Sequence, residues 1–404
     1  MTTRLSNADI PQGFTFAATH CGLKKAKLDL GILISETRAS AAAVFTTNRV
    51  KAAPVIASQL HLRQSAHRMR GVIVNSGNAN CCTGSEGLSA AATTALKLAR
   101  ELGRLHPSQI LVCSTGVIGA PLRWQKIVNA IPRLVRARHR TASAFAEFTR
   151  AIMTTDTRPK WAAAKCRIDG KQVRILGCTK GAGMIQPNMA TMLGFLATDA
   201  DISPKLLSRA LRAVVSRTFN SITVDGDTST NDTVTLLASG ASGARKISKE
   251  NDDWKKFCGA LELVCQSLAL QIVEDGEGAR HVIEIEVRGA PSDRSAKQIA
   301  LTIANSPLVK TAIAGADPNW GRILAAAGRS GVAFDFERAD ISLAGVKVCR
   351  HGRENPFDER VVHRKMLAKY VPIVVSLHSG HGHARVWTCD FTTEYIHINA
   401  SYRT

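Results

Sequence analysis

Short apolar runs alternate with helix-favouring segments along the whole chain, and this alternation constrains the fold more than any other feature. We interpret five apolar runs as strand-like, and several of them end in Gly, Asn or Ser turn signals. The runs are AAAVFTT, APVIAS, GVIVNSGNAN, ILVCSTGVIG and HVIEIEVRG. Helical propensity and apolar spacing predict helices at residues 87–102, 124–138, 204–217 and 252–273. This alternation indicates the α/β or α+β class.

The size and composition indicate a folded enzyme-sized protein. With 404 residues, of which 45% are hydrophobic, the chain can bury one large core or two ordinary ones. No uninterrupted apolar stretch approaches the roughly 20 residues that a membrane helix needs, and the N-terminus lacks a signal-peptide pattern. Ten cysteines without C-x-x-C spacing favour free thiols in a reducing compartment. We therefore expect a cytoplasmic protein that does not associate with membranes.

The net charge of +21 is concentrated in the first half of the chain. Residues 1–190 carry 27 Lys and Arg against 8 Asp and Glu, whereas residues 191–404 carry 26 against 24. Only 5% of residues are aromatic and no zinc-finger, RNP or basic-zipper pattern is present, so a solvated basic surface is the preferred interpretation. A nucleic-acid-binding protein is the alternative from a different class, and salt-sensitive retention on RNA or DNA would identify it.

Three segments imitate ligand-binding motifs but lack a required residue. The Gly-rich stretch around Lys180 does not fit G-x-x-x-x-G-K-[ST]. DGDTSTNDT at 225–233 lacks the Gly and the final Glu of a calcium loop. His378, His381 and His383 in LHSGHGH could ligate a metal, since alternate residues of a strand share a face, yet no further Cys or His stands at ligand spacing. We therefore predict no metal site.

Thr191 opens an apolar run and is a candidate nucleophile if the Ala190–Thr191 bond is cut. A Thr hydroxyl reacts poorly at neutral pH, but an N-terminal α-amino group with a pKa of about 7.7 to 8 can take its proton. Gly181, Gly183 and Pro187 shape a turn before Ala190 that suits such a cut. The chemistry alone permits cleavage but does not predict it, because most Ala-Thr peptide bonds are not cut.

The segment KGAGMIQPNMATMLGFLATDA resembles the cleavage segment of the glutamate N-acetyltransferase family, also called the ornithine acetyltransferase family. Further segments resemble the family in the same order along essentially the whole chain. They are NSGNAN at 75–80, CSTGVIG at 113–119, MTTDT at 153–157, DGDTSTNDT at 225–233, EDGEGA at 274–279, NSPLVKTAIAGADPNWGRILAAAG at 305–328 and the terminal NASYRT.

The resemblance implies a fold like that of N-terminal-nucleophile hydrolases, a layered αββα sandwich. A smaller α/β lobe is expected at about 280–385. The resemblance also implies an α chain of residues 1–190 and a β chain of residues 191–404, which begins with the nucleophile. Two copies of each would form an α2β2 heterotetramer.

The resemblance also implies roles for individual residues. Thr191 would be the cleavage nucleophile and acyl carrier, and Thr115 and Gly116 would form the oxyanion hole, which needs donors aimed at the developing charge. The residues expected to bind substrate are Thr154, Thr155, Lys180, Thr191, Glu277, Asn399 and Thr404. Lys180 and Glu277 carry the charges that complement an amino acid's carboxylate and ammonium. Which Thr of MTTDT contacts substrate is left open.

The implied reaction moves acetyl from N-acetylornithine to glutamate with ping-pong kinetics and without a cofactor. Acetyl-CoA is a candidate co-substrate, and the sequence leaves open whether it is used. Two rival interpretations are a related self-cleaving aminopeptidase and an uncut scaffold. Amide hydrolysis without transfer to glutamate would identify the aminopeptidase, and an unchanged intact mass would identify the scaffold.

Overall fold

The computed structural model describes residues 5–186 and 192–401, which divide into two compact units. The first unit comprises Met1–Gly181, Pro187–Asn220 and Asp227–Ala269. The second comprises Ala182–Gln186, Ser221–Gly226 and Leu270–Thr404. Ala190, Thr191 and Thr404 lie outside the described residues. The division into chains at 190/191 stays a prediction.

The first unit is built on one large mixed sheet. Its strands are β1 (Phe14–Thr19), β2 (Leu30–Phe45), β3 (Arg68–Asn78), β4 (Ile110–Val117), β5 (Lys160–Ile168), β6 (Lys171–Lys180), β7 (Leu193–Thr198) and β8 (Thr233–Ala238). Its helices are α1 (Ala53–Gln64), α2 (Gly84–Glu101), α3 (Trp124–Arg136), α4 (Ala142–Ala151), α5 (Pro204–Arg217) and α6 (Asp252–Glu274), the last of which runs on into the second unit. The strand order is β4-β3-β2-β8-β7-β6-β5, with β1 also paired to β2.

The long strand β2 divides this sheet into two halves that face each other. Its first part pairs with β1 and β3, its last part pairs with β8, and the register with β3 shifts between Ile34 and Ala39. One apolar core contains Val72 and Val74 from one half together with Phe195 from the other. Because strand side chains alternate between faces, a core shared by both halves means that the halves stack as two β layers.

Helices cover the outer faces of both β layers. Ile73 points away from its neighbours Val72 and Val74 and packs in a second core with helices α2 and α3. On the other half, a Cβ built on Gly177 of β6 would lie 3.1 Å from Leu268 of α6. The predicted α/β class and the layered αββα order are confirmed in this unit.

Helix α6 is, within residues 5–186 and 192–401, the one helix long and apolar enough to cross a membrane. Half of its most apolar window is buried. It packs on β6 through Val264 and Leu268, as a core helix of a folded protein does.

The segment APVIAS is a helix, so its interpretation as a strand was wrong. It forms the first turns of α1, with Pro54 at the helix start, where a fixed φ and a missing N–H are tolerated. Val55, Ser58 and Leu62 are buried on one side, at helical spacing. The predicted helices are confirmed: α5 matches 204–217, with Ser203 as its N-cap, and α2, α3 and α6 differ from prediction only at their ends.

The second unit has its own sheet, helices and core. Its strands are β9 (Val282–Ala290), β10 (Asp340–Leu343), β11 (Val346–Arg350), β12 (Arg353–Glu354), β13 (Tyr370–Ser376) and β14 (Gly382–Cys389), in the order β12-β11-β10-β13-β9-β14. Its helices are α7 (Asp293–Ala304), α8 (Pro307–Ala314), α9 (Trp320–Gly328), α10 (Glu359–Met366) and α11 (Thr393–Ala400). Ile285 and Val287 of β9 and Ile299 of α7 pack in one core.

Candidate active site

The STG segment, Ser114-Thr115-Gly116, belongs to the last part of strand β4, where β3 and β4 approach closely; the Gly signal was typical of a turn, but these residues remain paired in the sheet. Gly116 has a φ of +133°, and a Cβ built on it would lie 2.3 Å from the carbonyl carbon of Gly77 on β3. Only glycine fits this position, because any side chain would collide with backbone. Thr115 precedes it and is largely buried. The local fold thus requires the Gly of the predicted oxyanion pair on steric grounds.

Hydrogen bonds from buried side chains hold the STG segment in place. Asn231 Nδ2 donates to the Ser114 carbonyl at 2.8 Å and to the Ala79 carbonyl at 2.6 Å. Ser114 Oγ donates to Asn75 Oδ1 at 2.6 Å. Asn231 was not among the predicted site residues, although DGDTSTNDT and NSGNAN both stood out in the sequence. Its partner Ser114 lies 117 positions away, so no local pattern could have revealed the contact.

Asp156 organises the MTTDT segment and the end of β6. Its carboxylate accepts hydrogen bonds from Lys160 Nζ at 2.6 Å, from the Gly181 N–H at 2.7 Å and from the Thr154 N–H at 2.9 Å. Burial opposes ionisation, but the charges of Lys160 and Lys180 and the N–H donors prevail and lower the pKa of Asp156 to about 2. The carboxylate therefore stays ionised at neutral pH and fixes Thr154 relative to Gly181.

Lys24 is a third cation beside this cluster, and the sequence did not single it out. Its Nζ donates to the Met153 carbonyl at 2.6 Å and to the Leu28 carbonyl at 3.2 Å. Burial lowers the pKa of Lys24 to about 8; the charge of Lys180 acts in the same direction and that of Asp29 opposes it.

Asp232 is a buried carboxyl next to the start of β7. Burial raises its pKa well above the usual range, while Lys180 and a hydrogen bond from the main chain of Met192 act against this rise. Among the described residues, Asp232 Oδ2 has no hydrogen-bond partner. The group that anchors Met192, the residue after Thr191 in the sequence, is therefore a buried acid.

In the second unit, Glu277 and Asn399 form one pair. Asn399 Nδ2 donates to Glu277 Oε2 at 2.9 Å, and the Glu277 N–H donates to the Ala182 carbonyl at 2.9 Å. A Cβ built on Gly183 would lie 2.3 Å from Glu277 Oε2, so the carboxylate rests directly on the Gly183 backbone. This contact gives Gly183 a steric role beside Glu277.

The structure thus places the predicted substrate-binding residues that it describes in two groups. Thr154 and Lys180 flank Asp156 in the first unit, and Thr155 is half-buried in the same turn. Glu277 and Asn399 form the group of the second unit.

The three histidines of LHSGHGH have separate surroundings. His383 Nε2 lies 2.7 Å from Glu286, and His378 Nε2 lies 3.6 Å from Asp340. No group of three or more His, Cys, Asp or Glu side chains within residues 5–186 and 192–401 is arranged to hold a metal ion.

Comparison with known proteins supplies the class of the enzyme. The model of the ArgJ family matches residues 15–404. The "Arginine biosynthesis bifunctional protein ArgJ" of Thermotoga neapolitana is 47% identical over 399 residues, which cover 98% of this chain and 100% of that protein.

Two solved structures are also similar. The Bacillus halodurans ArgJ protein is 45% identical with a TM-score of 0.49, covering 50% of this chain and 96% of that one. Ornithine acetyltransferase from Mycobacterium tuberculosis, complexed with ornithine, is 33% identical with a TM-score of 0.40, covering 46% of this chain and 97% of that one.

An α/β chain with this sequence likeness along its whole length is an enzyme of the N-acyltransferase class. It belongs to the ArgJ family. The family resemblance stated from the sequence motifs is thereby confirmed.

Proposed function

We propose that the enzyme transfers the acetyl group of N2-acetylornithine to glutamate through an acetyl-Thr191 intermediate. The products are ornithine and N-acetylglutamate, in cyclic arginine biosynthesis. The observation that carries this proposal is the 47% identity over 98% of the chain to a protein named for a bifunctional role in arginine biosynthesis.

The nucleophile is generated by self-cleavage between Ala190 and Thr191. The Thr191 hydroxyl attacks the Ala190 carbonyl, the peptide C–N bond breaks, and water hydrolyses the resulting ester. Ala190 then ends the α chain with a carboxylate, and Thr191 begins the β chain with an α-amino group. That amine acts as the base for the hydroxyl in each catalytic cycle, since an α-amino group ordinarily has a pKa of about 7.7 to 8.

In the first half-reaction, Thr191 Oγ attacks the acetyl carbonyl of N2-acetylornithine. The Thr115 hydroxyl and the Gly116 N–H donate to the oxyanion, the C–N bond breaks, and ornithine leaves with the proton that the α-amino group had taken. The close packing of Gly116 on Gly77 and the hydrogen bond from Asn231 to the Ser114 carbonyl support this role, since preorganised donors need no reorientation as charge develops.

In the second half-reaction, the amine of glutamate attacks the acetyl ester and releases Thr191. We assign substrate binding to Thr154, Thr155, Lys180, Glu277, Asn399 and Thr404. The Lys180 ammonium suits the α-carboxylate, and the Glu277 carboxylate suits an ammonium group. The buried Asp156 supports the first assignment, because it fixes the main chain beside both Thr154 and Lys180.

Trapping the acyl-enzyme tests this proposal. The purified enzyme is mixed with N2-acetylornithine in the absence of glutamate and examined by mass spectrometry. We expect one added acetyl group on a fragment that begins at Thr191, and its loss with formation of N-acetylglutamate once glutamate is added. Thr191→Ser, which keeps a hydroxyl, should still be acetylated, whereas Thr191→Ala should not. Release of free acetate without transfer to glutamate would instead indicate a hydrolase.

Further parts of the proposal concern co-substrates and assembly. We propose acetyl-CoA as an additional acetyl donor, no bound cofactor, and an α2β2 assembly in the cytoplasm. Acetylation of glutamate by acetyl-CoA with the same Thr191 dependence, and a solution mass equal to two precursor chains, are the expected results.

A further inference from the structure

The loop at residues 20–29 is rigidly organised around one carboxylate. Asp29, whose side chain is fully buried, accepts hydrogen bonds from four consecutive main-chain N–H groups, with N···O distances of 2.6, 3.1, 2.7 and 2.9 Å. These donors belong to Cys21, Gly22, Leu23 and Lys24. A buried carboxylate satisfied in this way fixes the backbone from which the Lys24 side chain extends.

The Lys24 side chain lies between Gly77 of β3 and the MTTDT segment. Its stem packs on Gly77, since a Cβ built on Gly77 would lie 3.2 Å from Lys24 Cγ. Gly77 is the register partner of Gly116 in the parallel β3–β4 pair. The amine at the other end of the side chain donates to the Met153 carbonyl, next to Thr154. Lys24 therefore contacts the MTTDT segment directly, and it reaches Gly116 only through Gly77, the residue paired with Gly116 across β3 and β4.

Among residues 5–186 and 192–401, the charged groups that act on Lys24 and Asp156 include more cations than ionised carboxylates. The ammonium groups are those of Lys24, Lys160 and Lys180, and the ionised carboxylates are Asp29 and Asp156. Asp156 is paired with Lys160 at 2.6 Å, and Asp29 is surrounded by N–H donors. The nearby Asp232 is shifted towards its neutral form, and Lys27 adds further positive charge. An anionic group of a ligand would balance this excess.

We propose that Lys24 binds the side-chain carboxylate of the acceptor glutamate. This inference rests on the proposed function, in which Lys180 takes the α-carboxylate. Of the two substrates only glutamate carries a second carboxylate, because the side chain of N2-acetylornithine ends in an ammonium group. Lys24 then makes the second half-reaction selective for glutamate over its uncharged amide, glutamine, and takes no part in the first half-reaction.

The two half-reactions of Lys24→Gln test this assignment. A charge-assisted hydrogen bond is worth about 1.5 to 3 kcal/mol, so we expect kcat/KM for glutamate to fall by about tenfold to a hundredfold. The rate of ornithine release in a single turnover should be unchanged, and the preference for glutamate over glutamine should fall by the same factor. Lys24→Arg, which keeps the charge, should retain most of the preference. Lys25→Gln is the matched control, because Lys25 is the exposed neighbour.

The outcomes separate this inference from the proposed function. If the wild-type enzyme does not acetylate glutamate, the proposed function fails. If it does, and Lys24→Gln keeps the wild-type preference for glutamate over glutamine or slows both half-reactions equally, the assignment of Lys24 is wrong.

The wild-type enzyme offers a second measurement if Lys24→Gln does not fold. The ratio of kcat/KM for glutamate to that for glutamine should fall as the pH rises through about 8, where Lys24 loses its charge. Taking the ratio cancels the titration of the Thr191 amine, and expressing each kcat/KM per concentration of free amine removes the different titrations of the glutamate and glutamine amines. A ratio that stays constant across this range would overturn the assignment.

Discussion

Replacing Asp156 by Asn removes a carboxylate that pairs with Lys160 in the interior. Neither side chain of the pair is exposed, and their charged atoms are 2.6 Å apart. The substitution leaves a buried ammonium opposite a neutral amide, and breaking one side of a buried ion pair costs about 3 to 5 kcal/mol. The hydrogen bonds from Gly181 and Thr154 lose their charge assistance at the same time. We therefore expect a loss of unfolding free energy of that size.

The assay is urea denaturation, from which the free energy of unfolding is obtained for each variant. Asp252→Asn is the control, since Asp252 pairs with Lys255 on the surface, where both side chains are more than two-thirds exposed. A pair of that kind contributes about 0 to 1 kcal/mol. Combining Asp156→Asn with Lys160→Met removes both charges and should recover much of the loss. A cost for Asp156→Asn no larger than that for Asp252→Asn would refute the reasoning.

Three further results are expected. The pKa of Asp156 is about 2 against 3.8 for an ordinary Asp, so its stabilisation is present above pH 3.8 and is lost as the pH falls towards 2; it amounts to about 2 kcal/mol. Acid titrations of unfolding free energy for the wild type and Asp156→Asn should therefore converge in this range, and parallel curves would contradict the shift. Gly116→Ala places a Cβ 2.3 Å from the Gly77 backbone and should reduce acetyl transfer by about a hundredfold or more; near-normal rates would argue against the oxyanion role. Asn399→Asp sets a second carboxylate against Glu277, which adds to the attraction for the ammonium group of N2-acetylornithine, so KM for that substrate should be lower than in Asn399→Ala; equal KM values would mean that charge at this pair is irrelevant to binding.

Local sequence signals predicted the helices because the signals themselves are local. Ser203 and Pro204 mark the start of α5, and the Gly at 103, with a φ of +103°, follows the end of α2. The interpretation of APVIAS was wrong because a short, mostly apolar run fits a strand or a helix equally well, and the buried face that decides between them extends to Leu62. The stacking of two β layers depends on the register shift in β2 between Ile34 and Ala39. No short motif encodes this shift.

The candidate site could be predicted only where a family motif marks it. Thr115, Gly116 and Thr154 lie in such motifs. The structure adds that the Gly77 backbone leaves no room for a side chain at position 116. Lys24 was missed because its partner Met153 is 129 positions away in the sequence. Asn231 lies within one of the family-like motifs, yet its role appears only when β4 is placed beside it. Charge and amide networks of this kind depend on tertiary contacts, so composition and spacing do not reveal them.

The mass of the purified protein beside its Thr191→Ala variant tests the central claim most directly. The account predicts that the wild type yields two chains, one of which begins with Thr191, and that the variant stays intact at 43.4 kDa. A wild-type protein that remains at 43.4 kDa with no fragment starting at Thr191, or a variant cut at the same bond, would contradict it.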